Sequence, residues 1–374
     1  MKPPVFEVVI LGGGIAGACM AAQLAPRIKT LIVEKEDRLG RHASGRSTGM
    51  FIPSYGGPVT AALAEASRAF FEDEASDAGG PLLRARPVLH ISSQERPQPI
   101  ATAIPIHGVQ VRKLCPILRT RHIKSAWLES GTGELDVSRL HQILLARATR
   151  QGAALWLGAG GHVSGHDGTH WRLTINGEEL RCTSLVNAAG AWANEVAAEC
   201  GVAPIGLKSY RRTAILIDPP SPEGLVLGGP IVKDMGEKYY FRPFGGDLLI
   251  SPCDETPSPP VDAQPEEADV ALAVARFRQA TGFKPPRIKH KWAGLRSFAP
   301  DRLPVIGWDL RAPNLFWFAG LGGYGIQTAP AAGRLAADLF FKVEASTTGE
   351  AKAQIAQQFS PMRWTGRKHQ PATV

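Results

Sequence analysis

The sequence predicts an α/β protein, and three observations lead to this class. The chain begins with a strand, a glycine turn, a helix and a second strand. Its 374 residues are 44% hydrophobic and 20% charged, enough for one large or two interleaved domains. Residues 204–291 are rich in β-branched residues, aromatics and turn signals, which favours antiparallel strands. Together they predict a Rossmann-type domain with an α+β domain built on a mostly antiparallel sheet.

The composition narrows the class of protein. No run of about eighteen apolar residues occurs, and the N-terminus leads directly into a strand, so we expect no membrane segment and a cytoplasmic location. The 5 cysteines are widely spaced, without a CxxC pair or a histidine at zinc-ligand spacing, so no metal site is expected. The formal charge of +8 lacks interleaved aromatics, which argues against a nucleic-acid partner and suits small anionic substrates.

The first motif is GGGIAG at residues 12–17, which follows a short apolar strand and opens an alanine-rich helix. Its glycines permit a tight turn, close approach of a pyrophosphate to the backbone, and close packing of helix on strand. The helix N-terminus then faces the phosphates. The residues predicted to contact a nucleotide are Gly12, Gly14, Ile15, Ala16 and Gly17.

The second strand, TLIVEK, ends on an acidic residue about twenty residues after the glycines. There the Glu34 carboxylate can accept both ribose hydroxyls, with Lys35 beside it. An acidic residue at this place argues against a 2′-phosphate and hence against NADP. This unit alone leaves NAD and FAD open.

The stretch RHASGRSTGM at residues 41–50 favours FAD. A nicotinamide protein needs nothing special here, whereas FAD lays its ribityl chain and ring across the carboxyl ends of the strands. The stretch supplies flexible amides and hydroxyls, and every polar group in it could face a bound anion. The predicted flavin contacts are His42, Ala43, Ser44, Gly45, Arg46, Ser47, Thr48 and Gly49. His42 is expected toward the ribityl or phosphate end, so FAD is predicted to bind non-covalently.

This stretch resembles the second flavin loop of the D-amino-acid oxidase superfamily, whose FAD domain is of the glutathione-reductase type. Three later segments resemble the same family in the same order: LVNAAGAWA at 185–193, FAPDRLPVIG at 298–307 and GLGGYGIQTAPAAG at 320–333. The resemblance implies further flavin contacts at Ala188, Ala189, Gly190, Trp192, Arg296, Gly322, Gly323, Tyr324, Gly325, Ile326, Gln327 and Thr328.

The order of these motifs predicts a discontinuous FAD domain, because they lie at the beginning, middle and end of the chain. The FAD domain is predicted to comprise residues 1–82, 127–203 and 292–374. Residues 83–126 and 204–291 are predicted to form the substrate-binding domain.

Arginines and tyrosines in short strands predict the substrate site. An arginine that faces an apolar cavity is costly unless an anion meets it, and a carboxylate suits its two parallel donors. The segments RRTAI, WAGLRSF and GGYGIQT are most similar to the D-arginine dehydrogenases of this family. That resemblance implies a list of roles: Arg212 and Arg296 clamp the substrate carboxylate, Tyr240 donates to it, Tyr55 lies beside the amine, and the Gly323 carbonyl accepts from the amine.

Neighbouring residues compete for two of these roles. Successive side chains of a strand point to opposite faces, so only one of Arg211 and Arg212 can face the cavity. The same holds for Tyr239 and Tyr240. The assignment of Arg212 and Tyr240 to the cavity rests on the resemblance.

Two positions depart from the D-arginine dehydrogenase pattern. Met50 replaces an active-site histidine, and Val88 replaces the glutamate that receives a cationic side chain. A cation left unpaired in such a pocket is costly. A neutral or apolar side chain, or an N-substituted glycine, therefore fits better than D-arginine.

The predicted reaction is oxidative deamination of a D-amino acid to the 2-oxo acid and ammonia, by hydride transfer to flavin N5. The electron acceptor is O₂ or a quinone or other carrier. Three alternatives remain: an oxidase of glycine-like, sarcosine-like or other N-substituted amino acids, oxidation of a 2-hydroxy acid, and a catalytically inactive binding subunit. The fold cannot choose among these chemistries.

Overall fold

A computed structural model describes residues 3–74, 79–95, 97–220, 226–285, 287–342 and 356–364. Its α-helices are α1 (Ile15–Leu24), α2 (Gly57–Glu65), α3 (Gly108–Leu114), α4 (Val137–Arg150), α5 (Ala193–Glu199), α6 (Glu267–Thr281) and α7 (Gly325–Phe340). Its strands are β1 (Val5–Leu11), β2 (Thr30–Val33), β3 (Met50–Phe51), β4 (Leu83–Ala85), β5 (Val88–Ser92), β6 (Ala103–Ile106), β7 (Ser125–Glu129), β8 (Gly133–Leu135), β9 (Ala154–Trp156), β10 (Gly161–His166), β11 (Trp171–Ile175), β12 (Glu178–Asn187), β13 (Lys208–Ile217), β14 (Ile231–Asp234), β15 (Tyr240–Phe244), β16 (Asp247–Ser251), β17 (Thr256–Pro257), β18 (Ile288–Phe298), β19 (Val305–Trp308) and β20 (Leu315–Ala319). Short π and 3₁₀ turns lie at Phe70–Glu74, Thr120–His122 and Gly190–Trp192.

The first sheet has eight strands and a parallel centre. Strands β20, β12, β1, β2 and β9 run parallel in that order, and β19 pairs antiparallel with β20. The hairpin β10–β11 joins the amino-terminal half of β12. Helix α1 packs against α4 and α7 on one face, where fully buried Ile10, Met20 and Leu140 share one apolar core. The parallel strands place their carboxyl ends along one edge.

The second sheet has nine strands and is antiparallel except for the β14–β5 pair. Its order is β17–β13–β16–β15–β14–β5–β7–β6, with β18 on the other edge of β13. Helices α3 and α6 cover one face through Val111, Val270 and Phe277. Strand β18 continues the hydrogen bonding of this sheet to Phe298, across the boundary predicted at residue 292. The domain boundaries stay a prediction.

Local sequence signals have the expected structures. Helix α4 begins after Asp136, whose side chain accepts the Arg139 N–H at 3.0 Å. Asn176 and Gly177 have left-handed φ angles of 49° and 82° in the tight turn of the β11–β12 hairpin, the structure typical of an Asn-Gly pair between two alternating runs. Helix α6 ends at Gly282, where φ is 82°, a conformation that glycine adopts without strain.

Membrane-spanning helices and disulfide bonds are the two features to compare with the composition. Within the described part of the chain, no helix is both long and apolar enough to cross a lipid bilayer. All five cysteines lie in described segments and are free thiols.

Candidate active site

A cavity of about 460 Å³ lies where the carboxyl ends of the parallel strands meet the uncovered face of the nine-stranded sheet. Four of its lining stretches follow strand ends directly: Gly12 after β1, Glu34 after β2, Ala188 after β12 and Gly320 after β20. Open α/β sheets bind ligands in this crevice. The strand topology therefore gathers motifs that are more than 300 residues apart, from position 12 to position 320.

The glycine turn after β1 has no room for side chains. Gly12 has a φ of 107°, and a Cβ there would lie 2.5 Å from the Ala188 carbonyl oxygen. A Cβ on Gly17 would lie 1.9 Å from the Gly12 carbonyl oxygen. These contacts account for both glycines by close packing of turn, helix and neighbouring strand.

The Glu34 carboxylate is fixed from two sides. Its oxygens accept the Gly13 N–H at 2.8 Å and the Glu36 N–H at 3.0 Å. From α4, Nε2 of His141 lies 2.9 Å from the Gly13 carbonyl oxygen. Burial lowers the pKa of His141, so the neutral ring donates to that carbonyl. His141 supports the turn, a role that its place on a surface-type helix did not suggest.

The loop at residues 41–50 differs from the expectation that all its polar groups could face a bound anion. Its two arginines already have partners within the protein. Arg46 pairs with Asp262 and also donates to the carbonyl oxygens of Ala263 (2.8 Å) and Ala293 (3.0 Å). Arg41 is shared among carboxylates, including Glu36 at 3.4 Å. Arg46 therefore joins the loop to β18, and both arginines contact Asp262, which precedes α6.

Besides Arg212, described below, two cavity-lining residues keep a buried polar atom without a hydrogen-bond partner in the described structure. His42 has its Nε2 2.8 Å from Glu36 Oε1 and its ring against Trp192 at 4.6 Å, while Nδ1 is unpaired. Gln327 accepts the Ile52 N–H at 2.8 Å through Oε1, while Nε2 is unpaired. Buried polar groups are normally satisfied, so a polar ligand is expected at both places.

Arg212 and Arg296 reach the cavity from neighbouring strands. In the β13–β18 register, Arg212 lies opposite Gly294, and Arg296 lies opposite Tyr210, two residues along. Both side chains line the cavity. Arg212 contacts Glu255 at 3.1 Å and leaves its buried Nε unpaired. Among the described residues, no carboxylate lies within ion-pair distance of Arg296.

Aromatic residues fix the position of Arg296. Its Nη1 lies 3.3 Å from the Tyr55 hydroxyl, and the Tyr55 ring packs edge-on against Tyr324 at 5.1 Å. A Cβ on Gly323 would lie 2.9 Å from Arg296 Nη1, so glycine leaves space for the guanidinium. Burial opposes the charge of Arg296, but the surrounding tyrosine hydroxyls prevail and its pKa lies above the ordinary value.

Tyr240 faces the cavity, and Tyr239 packs on the opposite face of the sheet with Phe241. The Tyr240 hydroxyl donates to Thr48 Oγ1 at 3.1 Å. Burial raises the pKa of Tyr240, so this phenol keeps its proton. Tyr240 is therefore a hydrogen-bond donor at this site.

The two departures from the D-arginine dehydrogenase pattern lie at different depths. Met50 lines the cavity. Val88 is fully buried behind it, in an apolar cluster with Ile52 and Ile231. No carboxylate stands at either position to receive a cation.

The structure brings most predicted site residues to one cavity. Its lining includes Gly12, Gly14, Ile15, Ala16, Glu34, Lys35, His42, Ala43, Ser44, Arg46, Ser47, Thr48, Met50, Tyr55, Ala188, Ala189, Gly190, Trp192, Arg212, Tyr240, Arg296, Gly322, Gly323, Gly325, Ile326 and Gln327. Those outside the lining are Gly17, Gly45, Gly49, Val88, Tyr324 and Thr328. The three glycines among them serve backbone packing, and the other three are buried side chains behind the surface.

Sequence reasoning missed the hairpin β10–β11, which closes the end of the cavity next to Glu34. The Ala159 N–H, just before β10, donates to the Glu34 carbonyl oxygen at 2.9 Å. Gly161, His162 and Leu173 then line the cavity. The Asn-Gly pair between β11 and β12 indicates a tight turn there. Nothing in the local sequence indicates that β10 and β11 lie next to Glu34.

Comparison with known proteins identifies the family. The model of the family described as "DAO: FAD dependent oxidoreductase" matches residues 7–339. The chain belongs to this DAO family. FAD is accordingly its cofactor.

Several known proteins are similar in sequence to this DAO-family protein. Glycine oxidase of Geobacillus kaustophilus is 24% identical over 370 residues, which cover 91% of this chain and 94% of the relative. "FAD-dependent oxidoreductase domain-containing protein 1" of Bos taurus is 25% identical over 43% of this chain. The match spans only 36% of the length of the bovine protein, and 38% of its Xenopus laevis counterpart.

Solved structures confirm the predicted fold class of the DAO-family protein. L-proline dehydrogenase from P.horikoshii has a TM-score of 0.81 at 20% identity and covers 97% of this chain and 98% of its own. Glycine oxidase from Geobacillus kaustophilus has a TM-score of 0.78 at 21% identity, covering 97% and 100%. The narrower likeness to D-arginine dehydrogenases stays a prediction.

The residues present fit FAD. The glycine turn and Glu34 suit the adenosine and pyrophosphate, and the unpaired atoms of His42 and Gln327 offer it hydrogen-bonding capacity. The contacts of each residue with the cofactor, and its non-covalent attachment, remain predictions.

Proposed function

We propose that this protein catalyses the FAD-dependent oxidation of a D-amino acid to the 2-oxo acid and ammonia, with a neutral or apolar side chain favoured over the cationic one of D-arginine. The observation that carries the proposal is the pair Arg212 and Arg296 on one cavity face, with Arg296 partly buried and without a carboxylate partner among the described residues. Two partly buried guanidinium groups on one cavity face repel each other unless an anion joins them.

The reaction divides between cofactor and chain. FAD, when bound, supplies the ring that accepts a hydride from the substrate α-carbon. Arg212 and Arg296 hold the substrate carboxylate and so restrict the orientation of the α-hydrogen. Tyr240 stays protonated and exchanges its Thr48 partner for the carboxylate when the substrate binds.

The substrate amine is assigned to the side of Tyr55 and the Gly323 carbonyl. Tyr55 lies beside Arg296, and both residues line the cavity with Gly323. The amine must lose a proton before or with hydride departure. With Met50 in place of a histidine, we assign this proton to water or to a path through the Tyr55 hydroxyl.

The names of the relatives support amine chemistry on a carboxylate-bearing substrate. They include glycine oxidase, dimethylglycine dehydrogenase and L-proline dehydrogenase. A second candidate follows from these names and from the apolar Met50, namely oxidation of an N-substituted amino acid. The D configuration rests on the resemblance to D-arginine dehydrogenases in sequence.

Anaerobic mixing of the FAD-loaded protein with single amino acids tests the proposal. We expect neutral D-amino acids to bleach the flavin band at ~450 nm. L-enantiomers and D-arginine should react more slowly, and N-methylglycine tests the second candidate. Peroxide formation in air then separates an oxidase from a dehydrogenase.

A variant links that reaction to the clamp. Arg296→Met should raise KM at least about 100-fold, because it removes a charge-assisted bidentate contact, while FAD stays bound. A wild-type protein that no amine reduces would contradict the proposal. If no 2-hydroxy acid reduces it either, that result would favour an inactive binding subunit. Turnover unchanged in Arg296→Met would contradict the assigned clamp.

A further inference from the structure

A third cation, Lys233, lies on the same face of the second sheet as the arginine clamp. It occupies β14, directly opposite Tyr240 in the antiparallel β14–β15 pair and beside His90 in β5. Side chains of directly paired residues lie on one face, and Tyr240 lines the cavity. The alternation along β14 agrees, because Ile231 packs with Ile52 and Val88 on this side, while Val232 packs under the helices.

The Lys233 ammonium is close to the substrate-binding residues. Nζ lies 4.9 Å from the centroid of the Tyr55 ring, and the residue is only 7% exposed. Tyr55 in turn contacts Arg296. Lys233 and Arg296 therefore contact the same Tyr55 side chain, Lys233 over its ring and Arg296 at its hydroxyl.

The carboxylates that balance these cations come from side chains at the rim. Lys233 pairs with Glu237, whose side chain is 47% exposed, and Arg212 pairs with Glu255, whose side chain is 34% exposed. Partly exposed glutamates can move into water at little cost. A ligand carboxylate can replace each of them.

Other charges on this face are already satisfied in the interior. Glu129 is buried and accepts from Ser54, Thr102 and His90. Arg242 pairs with Glu134 at 2.6 Å. Among the described cations of this face, Arg212 and Arg296 line the cavity, and Lys233, outside the lining itself, lies against the lining residue Tyr55 with a partly exposed partner.

We propose that the substrate carries two carboxylates, one held by Arg212 and Arg296 and the second received by Lys233. The inference rests on the proposed function and specifies its substrate class, an amino acid with an acidic side chain or an acidic N-substituent. Met50 and Ile52 line the wall beside Tyr55 and suit the methylene groups between the two carboxylates. Substrates with neutral side chains also fit against this wall, but Lys233 then keeps its ion pair with Glu237.

Matched substrate pairs test the inference in the FAD-loaded protein. D-glutamate against D-glutamine, and N-carboxymethylglycine against N-methylglycine, compare a second carboxylate with its absence. We expect kcat/KM to be at least about tenfold higher for the dicarboxylate in the pair that reacts. Lys233→Met should remove this preference, and Lys233→Arg should retain most of it.

Glu237→Gln is the matched control for the rim. It removes the competitor for Lys233 and should raise kcat/KM for dicarboxylates, with a smaller change for monocarboxylates. A role of Lys233 in merely positioning Tyr55 predicts another pattern. Lys233→Met would then lower kcat/KM equally for both members of each pair, and that result would overturn the inference.

A binding measurement separates this inference from the proposed function. Glutarate and butyrate have no amine and cannot be oxidised by the proposed reaction, and their binding is followed by perturbation of the flavin spectrum. We expect glutarate to bind at least about tenfold more tightly than butyrate, and Lys233→Met to remove the difference. If glutarate binds more tightly than butyrate as expected, but no amine reduces the flavin, only the proposed function fails. If neutral amino acids reduce the flavin but the two acids bind equally, only this inference fails. Failure of both acids to bind, together with no reduction of the flavin by any amine, overturns both.

Discussion

Arg211 and Arg212 of β13 have different surroundings, because successive side chains of a strand point to opposite faces of the sheet. Arg211 points to α6, where it donates to Asp269 at 3.0 Å and pairs with Glu266. Burial opposes its charge, but the two carboxylates prevail and the pKa of Arg211 lies above its ordinary value. Arg212 points to the cavity. One residue position thus separates an ion pair that supports the fold from a side chain that we propose binds the substrate.

This pair gives a matched test at the residue scale. Arg212→Met should raise KM at least about tenfold and change the free energy of unfolding little, because its partner Glu255 is a partly exposed side chain. Arg211→Met should lower the free energy of unfolding by about 1–3 kcal/mol, because Asp269 is left buried without its partner. Steady-state kinetics and denaturant titration measure the two effects. Interchanged results would contradict the assignment of faces.

Sequence reasoning reaches some residues and not others for a physical reason. Residue spacing left Arg211 and Arg212 equivalent, and only the resemblance favoured Arg212. Lys233 was missed, because IVKD is too short a strand for alternation to show which face is covered. Such choices depend on which helix packs on the sheet, and no local pattern contains that information.

Helix α7 shows how one element accommodates a residue that disrupts helices. Pro330 lies in its interior, where a proline removes one hydrogen bond and displaces the preceding turn. The next amide, Ala331 N–H, donates to Ser67 Oγ at 3.1 Å instead of to its own helix alone. Ser67 is fully buried and also donates to the Leu63 carbonyl oxygen at 2.8 Å. A side chain next to α2 therefore completes α7.

Removal of this hydroxyl provides the prediction at the element scale. Ser67→Ala should lower the free energy of unfolding by about 1–3 kcal/mol, because the Ala331 N–H is left buried without this acceptor. Thr149→Ala is the control, since that exposed hydroxyl bonds only within α4 and its loss should change stability little. Denaturant titration of both variants measures the difference. Equal stability of the two variants would contradict this account of α7.

Elements with local signals were predictable, and their partners were not. The glycine turn, the cap of α4 and the β11–β12 turn are each determined within a few residues. Strand β18 pairs along its length with β13, which is about 80 residues earlier in the chain. Its attachment to the second sheet is a long-range property that local patterns do not contain, and the boundary predicted at residue 292 lies within this strand.

At the scale of the whole molecule, one buried carboxylate joins the second sheet to the loop after β3. Glu129 accepts from Ser54 at 2.7 Å, from Thr102 at 2.8 Å and lies 2.7 Å from His90 Nε2. Burial raises the pKa of Glu129, but these hydrogen bonds, led by that with His90, prevail and hold it below its ordinary value. Tyr55 follows Ser54 directly, so the same contact supports the cavity wall.

The sign of this shift predicts a pH dependence of stability. A carboxyl whose pKa is lower in the folded state stabilises the protein fully above its unfolded pKa, about 4.3 for glutamate, and loses this effect as pH falls through the folded value. Glu129→Gln should therefore have a lower Tm than the wild type at pH 7, with the difference shrinking below about pH 4.3. Glu179→Gln, at a partly exposed carboxylate, is the control. A Tm difference that does not vary with pH would contradict the lowered pKa.

The arginine clamp and the proposed selecting residues belong to strands that are not neighbours. Arg212 and Arg296 lie on β13 and β18, whereas Val88 and Lys233 lie on β5 and β14, with β15 and β16 between the two pairs. Exchange of a side chain on β5 or β14 leaves the backbone that carries the guanidinium groups untouched. New specificities can therefore evolve, or be engineered, by exchanging a few side chains on β5 and β14, while the proposed carboxylate-binding arginines on β13 and β18 stay in place.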